Sequence, residues 1–187
     1  MASASARRRE LLCQLGLQAE VLPVDLDEST MQGESASDYV TRLARAKARA
    51  GFERLARPPA TLVLGADTTV LVDHQILGKP VDRDAALQML TLLSGRSHQV
   101  LTAIAVCDND GEHCELNQTE VVMGPISEAE RDWYWDTGEP CDKAGAYAIQ
   151  GLGARFVRSI RGSYSGVMGL PLYETAKLLR MRGLEPG

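Results

Sequence analysis

The stretch Thr61-Leu62-Val63-Leu64-Gly65-Ala66-Asp67-Thr68-Thr69-Val70-Leu71-Val72 constrains this chain more than any other. It is apolar and β-branched without a polar–apolar alternation, so it predicts a strand covered on both faces, at the centre of a sheet. Such a strand needs other elements packed over it. Asp67 stands in its middle. Burying an unpaired carboxylate is expensive. Asp67 therefore either has a chemical use or bonds a neighbouring turn and stabilises a bulge beside Gly65. Thr68 and Thr69 are placed to hydrogen-bond a ligand, and are equally ordinary strand residues.

The rest of the chain alternates between helical and strand periods. Arg7 to Leu15 reads as a short helix with Leu11, Leu12 and Leu15 on one face. Ser35 or Ser37 is placed to cap a long helix running to about Leu55, with Tyr39, Leu43, Ala46 and Ala50 as its inner stripe. Arg42, Arg45, Lys47 and Arg49 crowd its rim, and Pro58-Pro59 stops it. A turn is expected over Asp73 to Gln75, and a helix from Asp82 or Asp84 through Leu93. Gln99 to Cys107 and Cys114 to Met123 read as strands joined around Asn109-Asp110-Gly111. Ser127 to Trp135 is a helix opened by the capping box Ser-Glu-Ala-Glu. Ala154 to Ile160 reads as a strand. Pro171 sits in the first turn of a last helix that Gly183 ends. The class is α/β with a mixed sheet and flanking helices.

Composition narrows the function. The chain has 187 residues, 44% hydrophobic and 24% charged, with 20 Lys+Arg against 25 Asp+Glu and a net charge of −5. That is ordinary for a soluble domain needing no disulfide or metal to fold. Apolar runs are only a few residues long, so no membrane span is expected. The start, MASASARRRELL, lacks the apolar core of a secretory signal. A net acidic chain is a poor wrapper of nucleic acid. Cys13, Cys107, Cys114 and Cys141 lie far apart with no metal-ligand spacing, so free thiols in a cytoplasmic setting are expected.

Several residues are candidates for chemistry. Glu28, in Asp25-Leu26-Asp27-Glu28, would make a divalent-cation site if it met Asp67, since Mg²⁺ takes one or two carboxylates plus phosphate oxygens. Otherwise the segment is a solvated acidic loop. Lys79, in Gly78-Lys79-Pro80, is a point charge for phosphate or an exposed turn lysine. Lys47 by itself reads as a helix-rim lysine with its head in water. Ser3-Ala4-Ser5-Ala6-Arg7-Arg8 sets hydroxyls and guanidinium groups at the positive end of a helix, a combination that favours anions. No P-loop is present, and Gly151-Leu152-Gly153 is too short for a dinucleotide fingerprint. His98 reads as a packed or capping histidine, and Trp133 and Trp135 as packing residues.

Taken in order, these segments resemble the Maf-like nucleoside triphosphate pyrophosphatases. The matching stretches are Ser3 to Leu12, Asp25 to Glu28, Leu43-Ala44-Arg45-Ala46-Lys47-Ala48, Gly65-Ala66-Asp67-Thr68 and Gly78-Lys79-Pro80. They continue through Leu93-Ser94-Gly95-Arg96-Ser97-His98, Asp142 to Tyr147, Ile149-Gln150-Gly151, Gly162-Ser163-Tyr164 and Gly169-Leu170-Pro171-Leu172. The resemblance implies one domain over residues 1–187, of the elongated Maf/ITPase-like kind, with two lobes around a central cleft. It implies hydrolysis of a nucleoside triphosphate to the monophosphate and pyrophosphate, with Mg²⁺ or Mn²⁺. Within the family, Arg, Thr and Gln at the positions of Arg7, Thr68 and Gln150 mark the type that acts on dTTP and UTP. Two features depart from the pattern. Ala6 stands where the family has Pro, which should loosen that loop slightly without removing a phosphate donor. Only Met1 and Ala2 precede Ser3, so either the start is shortened or the first strand is a stub.

The expected roles follow from that resemblance. Asp67, Glu28, Lys47 and Lys79 carry catalysis, with Asp67 as the base for water and Glu28 and Asp67 holding the metal. Ser3, Ser5 and Arg8 bind the phosphates. Arg7, Thr68 and Gln150 set specificity, the Gln150 amide matching the O4/N3 edge of uracil or thymine. A non-catalytic nucleotide-binding regulator of cell division and a phosphatase releasing orthophosphate are the competing readings. The sequence is compatible with a homodimer.

Overall fold

The computed structural model describes residues 1–3, 5–56 and 61–187. It is a mixed α/β fold. In chain order the principal elements are α1 (Ala6–Cys13), α2 (Ala36–Arg54), β1 (Val63–Val72), β2 (Gln75–Leu77), α3 (Arg83–Leu93), β3 (Ser97–Asp108), β4 (Gly111–Met123), α4 (Glu128–Asp136), β5 (Val157–Arg161), α5 (Tyr164–Met168) and α6 (Leu172–Met181). Three short 3₁₀ turns, Glu139–Asp142, Ala144–Ala146 and Leu152–Phe156, separate α4 from β5. The five strands form one sheet in the order β2-β1-β3-β4-β5. The pairs β1–β2 and β4–β5 run antiparallel. Asn109-Asp110 alone links β3 to β4, a connection short enough only for antiparallel neighbours. β1 lies inside the sheet and is buried at eight of its ten positions, as its two-sided apolar pattern requires.

Local signals position these elements. Ser5 caps α1, Ser35 caps α2 and Asp82 caps α3, each side chain accepting an amide three residues on. Ser127 and Glu130 form the full capping box at α4. Asp73 and His74 both have positive φ, the conformation of a two-residue hairpin turn, and this turn leads into the short strand β2 that the sequence pattern did not reveal. The stop expected at Pro58-Pro59 lies outside the described residues, as does Ala4.

The inner face of α2 differs from the expected stripe. Val40, Leu43, Ala44, Lys47, Ala48, Gly51 and Phe52 are buried, while Tyr39, Ala46 and Ala50 are only partly covered. The face is turned by one position, which carries Lys47 off the rim and into the interior. The strand expected from Ala154 begins only at Val157. The Leu152 and Gly153 amides bond the Glu139 carboxylate instead of a neighbouring strand, so the chain turns there first. At the chain start, the Ala2 amide donates to the Leu64 carbonyl at 2.8 Å and Leu22 donates to the Met1 carbonyl at 3.0 Å. The two apolar residues before Ser3 thus lie beside β1 without forming an assigned strand.

The described residues divide into two compact units. One comprises Met1–Thr68, Thr102–Asn117 and Gly169–Gly187, the other Thr69–Leu101 and Gln118–Met168. In the second, Leu90, Leu93, Val121, Met123, Tyr134 and Phe156 form the centre of an apolar cluster. In the first, α2 packs directly on the backbone of β1. A Cβ at Gly65 would stand 2.3 Å from the Ala44 carbonyl oxygen and 2.6 Å from the Ala48 nitrogen. Glycine is therefore what lets the helix come close, two residues before Asp67. We expect Gly65→Ala to lose about 2 kcal/mol or more, because it forces backbone rather than a flexible side chain to move. The urea midpoint measures this, and an unchanged midpoint would show that α2 does not need the contact.

Candidate active site

The first unit gathers three of the predicted residues around one ammonium group. β1 presents Asp67 and α2 presents Lys47 across the close approach at Gly65. The Lys47 Nζ donates to Asp67 Oδ1 at 2.7 Å and pairs with Glu28 Oε1 at 2.5 Å. The Lys47 and Asp67 side chains retain only 11% and 9% of their exposure, whereas Glu28 keeps 51%. The assembly thus has a buried end and a solvent end. Desolvation pushes the Asp67 carboxyl above the ordinary carboxylate range, although the Lys47 charge and hydrogen bond and the Arg8 charge pull it down. A carboxyl poised this way binds a proton more readily than one in water, as a general base must.

Glu28 lies in an irregular segment, and α2 holds that segment in place. The Tyr39 hydroxyl donates to the Glu28 carbonyl at 2.9 Å. Arg42 donates to the Ser29 carbonyl at 3.0 Å and grips the Glu34 carboxylate at 2.6 and 2.8 Å. The Asp27 carboxylate accepts the Ser29 amide at 2.9 Å. The acidic loop is therefore tethered to the same helix that carries Lys47. Tyr39 and Arg42 were not among the predicted residues. Their three-residue spacing on one helix face was legible, but nothing in the sequence told which loop they would meet.

Arg8, at the start of α1, is also engaged within this unit. Its Nε donates to the Gly169 carbonyl at 2.7 Å, Nη1 to Ser3 Oγ at 3.1 Å and Nη2 to Thr68 Oγ1 at 3.0 Å. Thr68 Oγ1 lies 2.9 Å from Thr102 Oγ1. Ser5 Oγ accepts the Arg8 amide at 3.5 Å as the cap of α1. The predicted phosphate residues Ser3, Ser5 and Arg8 and the predicted specificity residue Thr68 thus form one connected network, next in sequence to Asp67. Thr102 and Gly169 complete it and were not predicted to do so. Arg7 is half-buried beside them on α1. Lys79 and Gln150 belong to the second unit, where both are exposed. Gly78 accepts the Gly145 amide at 3.0 Å, tying the Gly78-Lys79-Pro80 turn to the segment that follows Lys143. His98 is a packed histidine, as expected. Burial pushes its pKa down to about 4, and its Nε2 lies 2.8 Å from the Tyr147 hydroxyl.

Asp67 and Glu28 are the residues able to hold a divalent cation. Their oxygens already converge on one positive charge, and two hard carboxylates suit Mg²⁺ or Mn²⁺ when phosphate and water supply the remaining ligands. Among the described residues no group of three or more His, Cys, Asp and Glu side chains is assembled for metal binding. Among the same residues no helix is long and apolar enough to cross a membrane.

The family described as Maf-like protein matches residues 1–182. A protein of Anaeromyxobacter dehalogenans named dTTP/UTP pyrophosphatase is 53% identical over 187 residues, covering 98% of this chain and 93% of its own length. One of Methylobacillus flagellatus with the same name is 54% identical over 185 residues, covering 98% and 92% respectively. Another of Vibrio parahaemolyticus, again so named, is 48% identical over 180 residues, covering 96% and 94%. The chain belongs to the Maf-like family.

The Lys47–Asp67 pair yields a pH-dependent prediction. Without Lys47, the folded-state pKa of Asp67 rises further above its unfolded value. The folded protein then binds that proton more tightly, so stability falls as pH rises from the unfolded carboxylate pKa through the folded one. We expect Lys47→Met to lose about 3 kcal/mol at pH 8, as for other buried pairs stripped of one partner, and much less at pH 4. Adding Asp67→Asn should restore most of the loss. Urea unfolding at the two pH values checks this, and a loss equal at both would remove the buried charge as its cause.

Proposed function

We propose that this protein hydrolyses dTTP and UTP to the nucleoside monophosphate and pyrophosphate. The observation that carries the reading is the buried lysine joined to two carboxylates, one shielded and one open to solvent, in a chain about half identical to dTTP/UTP pyrophosphatases along nearly its full length. A binding module has no need of a desolvated acid.

In this mechanism Asp67 Oδ orients a water molecule and takes its proton as the water oxygen attacks the α-phosphorus. A new P–O bond forms. The bond from the α-phosphorus to the bridging oxygen breaks, and pyrophosphate leaves with that electron pair. Glu28 and Asp67 would hold a divalent cation, which when bound supplies positive charge to the phosphate oxygens. Lys47 keeps the two carboxylates together and adds a fixed charge beside them. Arg8, held by Ser3, Thr68 and Gly169, carries guanidinium donors suited to phosphate oxygens. Ser5 supports that turn. Lys79 provides a further charge for the triphosphate. Gln150 reads the O4/N3 edge of a pyrimidine, and Arg7 and Thr68 join it in setting specificity. The support for Lys79, Arg7 and Gln150 is their place in family-like motifs. The cytoplasm is our reading for the place of action, supported by four unpaired cysteines.

Asp67→Asn keeps the side-chain shape and removes the base. We expect UTP turnover to fall about 10²–10⁴-fold. The assay incubates each protein with UTP and Mg²⁺ and identifies the products. UMP with pyrophosphate from the parent supports the reading. UDP with orthophosphate, or no turnover, would overturn it, as would an Asp67→Asn rate equal to the parent's.

A further inference from the structure

The Gly151-Leu152-Gly153 segment has no place in the chemistry above, yet buried and charged side chains of the second unit brace it. Tyr134, on α4, is fully buried, and its hydroxyl donates to Glu139 Oε1 at 2.6 Å. The same hydroxyl oxygen accepts the Ala148 amide at 3.0 Å. Glu139 in turn accepts the Leu152 amide on Oε2 and the Gly153 amide on Oε1, each at 2.9 Å. One phenol and one carboxylate therefore satisfy backbone donors on both sides of Gln150. Both glycines follow from this crowding. A Cβ at residue 151 would lie 2.1 Å from Glu139 Oε2, and one at residue 153 would lie 2.5 Å from the Tyr134 oxygen.

The braced turn does something specific with its side chains. Ala148, Ile149 and Gly153 are buried, while Gln150 stands exposed between them. A carboxylate that accepts three hydrogen bonds at once is a rigid anchor, because charge-assisted bonds are the stronger kind. Such an anchor fixes the backbone, and with it the direction in which the Gln150 side chain leaves the turn. A site that discriminates by hydrogen bonds depends on that orientation, since a mismatched base leaves the site's own polar groups unpaired.

We propose that Tyr134 and Glu139 are positioning residues for base selection, holding the turn that presents Gln150. This rests on the reading of Gln150 as the pyrimidine reader. Neither side chain need touch the nucleotide. Both act through the backbone of residues 148–153.

The test compares kcat/KM for UTP and for GTP in four proteins: the parent, Gln150→Ala, Tyr134→Phe and Glu139→Gln. Tyr134→Phe keeps the buried ring and removes only the hydroxyl, so it tests the brace in a protein whose core is intact. We expect both brace variants to lower the UTP-to-GTP ratio about tenfold, as small displacements of a positioned group do, with the loss in KM more than in kcat. Amide exchange at Leu152 and Gly153 should speed up in the same proteins. A general loss of packing would lower both substrates together and leave the ratio alone. If Gln150→Ala lowers the ratio and both brace variants leave it at the parent value, the positioning role is refuted while the pyrimidine reading stands. If Gln150→Ala itself leaves the ratio unchanged, the reading of Gln150 fails and the positioning role fails with it.

Discussion

A single lysine ammonium held between two carboxylates is the interaction on which the candidate site depends. Lys47 is buried on the inner face of α2, and burial of a charge is tolerable only when its partners are in place. Asp67 meets it from inside the sheet, and Glu28 meets it from a solvent-facing loop. The arrangement is possible because Gly65 lets α2 lie against the β1 backbone. A larger residue there would hold helix and strand apart and pull Lys47 away from Asp67. Packing, electrostatics and chemistry thus meet in one short stretch of strand.

The two units use a common device, in which a charged group organises an irregular segment that secondary structure cannot fix. In the first, Arg42 and Tyr39 tether the acidic loop that carries Glu28, and the Arg8 guanidinium joins nearby Ser3 to the distant Thr68 and Gly169. In the second, Glu139 and Tyr134 brace the turn that carries Gln150. Hydrogen bonds to charged groups are worth more than neutral ones, so a few of them can hold a loop in one conformation. Residues that present functional side chains from loops need such support.

Much of this was legible in the residues. The two-sided apolar pattern of β1 placed Asp67 in a buried strand, and the capping residues marked the starts of α2, α3 and α4. Glu28, Lys47 and Asp67 were named as one site from their motifs, and the structure brings them together. The register of α2 was misread, because a lysine was assigned to the rim on polarity alone. Its burial is set by a tertiary partner 20 residues away, which helical periodicity does not encode. The onset of β5 was misplaced for a related reason, since the competing acceptor is the Glu139 side chain and not a strand. Thr102, Gly169, Tyr39 and Arg42 were given no part in the site because each gains its role only through contacts made by the folded chain.

Whether Asp67 and Lys47 work as one catalytic unit is open to direct measurement. Steady-state kcat/KM for UTP would be determined for Asp67→Asn, Lys47→Met and the double variant. Groups that act together are not additive when removed. The account predicts that the double variant is no slower than the worse single variant, to within about threefold. Losses that multiply would contradict it, because they would mean that the acid and the ammonium serve the reaction independently.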